Sequence, residues 1–131
     1  MLIEDYEGNF VFKGLGNSEG VCHLKIFSQP NKIFIVVLTE LTENTGASIT
    51  NSYEKIVTQV YHKFLAEVPF NKITWIEHYD KNSYEKSDNK HETFDEVNLS
   101  YHEGAKKFSS PHWNHIGKNW DSVVKYFQQN I

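Results

Sequence analysis

KIFIVVLTEL, residues 32–41, carries apolar side chains at six consecutive positions, Ile33 to Leu38, with no alternation. A half-exposed strand would alternate apolar with polar, and a surface helix would return to a polar face within every turn. An unbroken short apolar run that ends in turn-forming residues predicts a central strand covered on both faces. The run is the longest of its kind in the chain and is far too short to span a bilayer.

Upstream, NFVFKGL (9–15) and GVCHLKIFS (20–28) predict two strands joined through GNSEG, a glycine-bearing connection suited to a hairpin. In the second strand Val21, His23, Lys25 and Phe27 share one face, and Cys22, Leu24 and Ile26 share the other. The cleanly apolar second face is the one expected to meet the core. QPNK (29–32) is a turn, with Pro30 presetting the backbone and Asn31 tolerating a tight corner.

Downstream, TENTGASITN (42–51) is a loop of small polar residues leading into a helix. Ile49, Tyr53, Ile56, Val57, Val60, Tyr61, Phe64 and Leu65 recur at steps of three, four and one, which makes a single apolar stripe. Asn51 with Glu54 forms a capping-box variant, Ser48 and Thr50 are alternative caps, and Pro69 ends the helix. KITWIEHY (72–79) and ETFDEVNLSY (92–101) predict two further strands separated by the charged segment DKNSYEKSDNKH (80–91). HEGAKKFSSPHWNH (102–115) reads as irregular. The chain closes on a short helix, with Trp120, Val123, Val124 and Phe127 on its buried stripe and with Trp113 and Trp120 pinning the C-terminal segment. The expected fold is a single α+β domain over residues 1–131. It has a mainly antiparallel sheet of about five strands in β-β-β-α-β-β-α order, with the helices packed on one face.

Composition narrows the function classes. The chain has 131 residues, 39% of them hydrophobic and 15% aromatic, enough for one packed core. All 13 basic residues are lysine. Arginine, the usual bidentate reader of phosphates and base edges, is missing, and the net charge is −4. Nucleic acid is therefore not an expected partner. A single cysteine, Cys22, excludes an intramolecular disulfide and a cysteine zinc cluster, and its alternation with Leu24 and Ile26 predicts burial. MLIEDYEGNF has neither a basic nor an apolar leader segment, so a cytoplasmic protein without a membrane partner is expected.

Three stretches could carry chemistry. In TWIEHYD (74–80), strand alternation sends Ile73, Trp75, Glu77 and Tyr79 to one face and Thr74, Ile76, His78 and Asp80 to the other. Glu77 and His78 therefore cannot form a dyad by themselves. Either could meet Glu92, Asp95 or Glu96 across the ladder, and Glu77, His78 and Asp95 are the candidate acid–base residues. The second stretch is the loop before the helix, where Asn44, Gly46, Ser48, Thr50 and Asn51 could cradle a small anionic ligand. Glu40 and Glu43 oppose that use, and the phosphate-loop signature is missing. The third is PHWNH (111–115), whose His112 and His115 could reach one metal from a helical turn, with His102 or Glu103 completing a set. With no cysteine pair and no glutamate in the motif, no metal and no cofactor is expected. His62 falls beside the helix stripe and is expected to be exposed.

TELTENTGASITNSYE, TWIEHYD and ETFDEV, between Thr39 and Val97, together resemble a pattern shared by a family of small uncharacterised bacterial proteins of similar length. The resemblance implies no activity and transfers no functional residue. Two functions remain in play. One is a non-enzymatic binding module that recognises a protein partner through Trp75 and Tyr79 on an exposed sheet face. The other is a small hydrolase or ligand-processing enzyme using residues 44–51 with Glu77, His78 and Asp95.

Overall fold

The computed structural model describes residues 5–13, 19–29, 33–40, 49–80, 92–117 and 120–130. Six strands and two helices follow in the order β1 (Tyr6–Lys13), β2 (Glu19–Gln29), β3 (Ile33–Glu40), α1 (Ile49–Phe64), β4 (Ile73–Asp80), β5 (Glu92–His102), β6 (Lys107–Gly117) and α2 (Trp120–Asn130). A 3₁₀ turn, Phe70–Lys72, sits directly before β4. The strands lie side by side in chain order in one mixed sheet. β1–β2–β3 and β4–β5–β6 are antiparallel meanders, and β3 joins β4 in parallel. A parallel join needs a crossover, and α1 supplies it.

The sheet has six strands rather than about five, because most of 102–115, expected to be irregular, belongs to β6 (Lys107–Gly117). Its alternation is hidden by bulges. Trp113 pairs with Val97 and Phe108 with Tyr101, so five steps along β6 match four along β5. The extra residue falls at Ser110–Pro111, where Ser110 has φ 59°. A second register shift lies between Phe94 and Asp95, where Gly117 and His115 are the partners. Pro111 is tolerated because β6 is an edge strand.

The helices lie on opposite faces, not on one. Cys22, Leu24, Ile26, Val36, Leu38, Trp75, Val97 and Phe108 pack with Tyr53, Ile56, Val57 and Val60 of α1 and with Leu65 just after it. Ile35, Val37, Ile76 and Phe94 pack with Val123 of α2. β3 is buried from both sides, as its unbroken apolar run requires, and its parallel neighbour β4 shares both covers through Trp75 and Ile76. Four α1 side chains, Tyr53, Ile56, Val57 and Val60, and Leu65 just past its end are fully buried, and each contributes roughly 1.5–3 kcal/mol. The stripe read from the sequence is thus the main fastening of the helix.

The sheet curls around α1, which reaches both edge strands. Phe10 and Phe12 of β1 and Phe108 of β6 share its core. Gln59 Nε2 donates to the Lys13 carbonyl of β1 at 3.2 Å. From the other edge, the Phe108 N–H donates to Thr58 Oγ1 at 3.0 Å, and His62 Nε2 donates to the Lys106 carbonyl at 2.6 Å. His62 is exposed, as expected.

Candidate functional site

α1 is the crossover between β3 and β4, and Tyr53 in its first turns lies by Glu77 and Trp113, over the C-terminal ends of that parallel pair. In open sheets with a βαβ crossover, ligands are commonly held at this end. The sequence places polar residues there against an otherwise apolar layer. Leu38 of β3, Glu77 of β4, Asp95 of β5 and His115 of β6 occupy one row across the ladder, each the register partner of the next. They share the α1 face with Trp75 and Trp113.

Glu77 is 9% exposed, the one buried charged residue among the described residues. Asp95 is half-buried, and His115 Nδ1 donates to its Oδ1 at 3.0 Å. Over the row lies Tyr53 of α1, fully buried, its ring meeting the Trp113 ring edge to face at 5.8 Å. Among the described residues the Tyr53 hydroxyl and the Trp113 Nε1–H have no hydrogen-bond partner. Burial raises the Tyr53 phenol well above its ordinary value, and the charges of Glu77 and Cys22 push it further the same way. Tyr53 is therefore a neutral hydroxyl donor in a dry setting. The row combines one dry carboxylate, a carboxylate-backed imidazole and a neutral phenol. It can accept hydrogen bonds from a ligand, donate one to it, and move a proton at its exposed rim.

Glu77 and Asp95 stand directly opposite each other. His78 does not join them. It faces α2's side of the sheet, stacked on Phe94 at 4.3 Å, with its Nδ1 2.9 Å from Thr39 Oγ1. Glu96 is on that side too, accepting a hydrogen bond from Tyr126. His112 and His115 are not a metal pair, because on a strand a spacing of three puts them on opposite faces; His112 is the partner of Asn98 and His115 of Asp95. Among the described residues no group of three His, Cys, Asp or Glu side chains is placed to hold a metal. Cys22 is fully buried beneath α1, as expected.

Trp75 is 3% exposed and packs against Phe108, so it belongs to the core and offers nothing to a partner's surface. The face expected to be open is the one α1 covers. Asn44, Gly46 and Ser48 lie outside the described residues, as does most of 80–91. Thr50 and Asn51 fall in the first turn of α1, and their side chains, like that of Tyr79, are outside what is described.

Two residues of the row were not singled out as site residues by sequence reasoning. Tyr53 looked like one more member of an apolar stripe, and its hydroxyl carries no local signal. His115 was weighed only as a metal partner of His112. Reading 107–117 as a strand opposite 92–102 would have set it beside Asp95. No helix among the described residues is long and apolar enough to cross a membrane. No protein-family model, curated protein or solved structure matches the chain.

Proposed function

We propose that this chain binds a small polar ligand at the Glu77–Asp95–His115 row and can process it by proton transfer. The observation that supports this reading is the placement of Glu77 in an otherwise apolar layer, directly opposite the hydrogen-bonded Asp95–His115 pair. Two carboxylates directly opposite each other on one sheet face, Glu77 and Asp95, make a pair of acceptors suited to a ligand's hydroxyl or amine groups. In this reading Glu77 and Asp95 accept from a ligand's hydroxyl or amine groups, the Tyr53 hydroxyl donates to it, and His115 exchanges the proton with solvent. Recognition of a protein partner through Trp75 and Tyr79 is the weaker reading, because its Trp anchor is covered.

The test is a thermal-shift screen with amino- and hydroxyl-bearing metabolites. A ligand at a hundred times its Kd adds about 2.7 kcal/mol of stability. The expected hit disappears in Glu77→Gln and Asp95→Asn and survives in His78→Gln, on the opposite face. Tyr53→Phe should also lose the hit while folding at least as stably as the parent, since it deletes a buried hydroxyl with no partner among the described residues. A hit equally strong in Asp95→Asn, or a Tyr53→Phe variant destabilised by 2 kcal/mol or so, would sink the assignment.

A further inference from the structure

The edges of the curled sheet do not meet. Between them, on the outer side of α1, lies a cleft of about 480 Å³ lined by Lys13, Glu54, Lys55, Thr58, Gln59, Lys107 and Phe108. Its volume is in the range of small-molecule sites, roughly 300–1,000 Å³. Three separate elements each contribute a lysine: Lys13 closes β1, Lys107 opens β6, and Lys55 stands on α1. All three are exposed, and among the described residues none forms an ion pair. One carboxylate, Glu54, faces the three. In a chain with a net charge of −4, such a concentration of cation is not an average surface.

We propose that this cleft binds a small polyanion carrying two or three negative charges, a phosphate ester or a polycarboxylate. Lysine ammonium groups act as point charges toward such ligands without needing arginine's fork. Low-dielectric walls on two sides strengthen the field between them. The wall is fixed, since Thr58 and Gln59 are already tied to the two strands by the hydrogen bonds to Phe108 and Lys13. Phe108, buried at 2% exposure, makes the base of the cleft and would meet the ligand's carbon skeleton. The ligand would complete the closure that the two edge strands do not make. This site is separate from the Glu77 row: Glu54, Lys55, Thr58 and Gln59 lie outside the stripe of α1 that Tyr53, Ile56, Val57 and Val60 bury.

The probes are inorganic pyrophosphate and citrate, titrated calorimetrically at low ionic strength, with NMR of reductively methylated lysines to locate the response. Saturable binding of either one supports the proposal, and their ranking tells phosphate from carboxylate chemistry. Each of Lys13→Gln, Lys55→Gln and Lys107→Gln should weaken binding about tenfold, the loss of one charged contact. Glu54→Gln should tighten it, and Lys72→Gln, outside the cleft, should leave it unchanged. Glu77→Gln should also leave it unchanged, so failure here and failure of the acid–base row are told apart. The lysines are exposed, so the variants should fold, which an unchanged melting curve without probe confirms. Absence of saturable binding, or equal losses in Lys72→Gln and Lys55→Gln, would overturn the proposal.

Discussion

Tyr126 of α2 donates its phenolic hydrogen to Glu96 Oε2 of β5 at 2.5 Å, a polar fastening between the helix and the sheet. The hydrogen bond to Glu96, then burial, then the carboxylate's charge push the phenol up to about 12, from an ordinary 10.0. A phenol whose pKa is raised on folding adds stability that is fully present below the unfolded value and lost as pH climbs through the folded one. Tyr126→Phe should therefore cost about 1 kcal/mol at neutral pH, the worth of a hydrogen bond to a charged group on a partly exposed side chain. Urea titrations should show that gap closing between pH 10 and 12. A gap independent of pH would mean the hydroxyl is not held by Glu96. At this scale the sequence is readable wherever parity is enough. It separated Glu77 from His78, since strand alternation follows from backbone geometry alone, but left Glu92, Asp95 and Glu96 open as partners for either, because the register that sets Glu77 opposite Asp95 is not written locally. It could not match Tyr126 with Glu96, because nothing local in a helix tells which residue of a distant strand it will cover.

α1 was legible almost in full, because an amphipathic stripe with a proline stop is written into consecutive residues. β6 was not. Its two register shifts break the period-2 pattern, and its proline and histidines mimic a loop. What holds β6 to the helix is specific and testable. Thr58 Oγ1 donates to the Glu54 carbonyl at 2.7 Å and accepts from the Phe108 N–H. Thr58→Val keeps the shape and removes the acceptor, leaving a part-buried edge amide unpaired. The expected loss is about 1–2 kcal/mol, with faster hydrogen exchange at the Phe108 amide than at Val97 on β5. Unchanged exchange at Phe108 would show that the strand holds itself in place.

Across the whole molecule, the two helices do different work. α1 fills the concave side of the sheet and joins its halves; α2 closes the other side over Ile35, Val37, Ile76 and Phe94. A chain ending at Gly117 should keep its α1 core but expose that apolar surface. Self-association on size-exclusion, with most far-ultraviolet circular dichroism retained, is the expected outcome. A monomeric truncated chain would show that α2 is dispensable. The central strand had announced this arrangement: a run apolar on both sides demands a cover on both sides, which conflicts with helices stacked on one. The demand in Ile33–Leu38 is local and therefore visible, whereas the identity of the second cover depends on a helix at the far end of the chain. That distance matters during synthesis. β3 leaves the ribosome early, yet Val123, the α2 residue buried against it, follows about 85 residues later. At ~5–20 residues per second the interval is on the order of 4–17 s. For all of it the greasiest strand of the protein is half-clothed, and the nascent chain should be a client for any chaperone that waits at the tunnel exit.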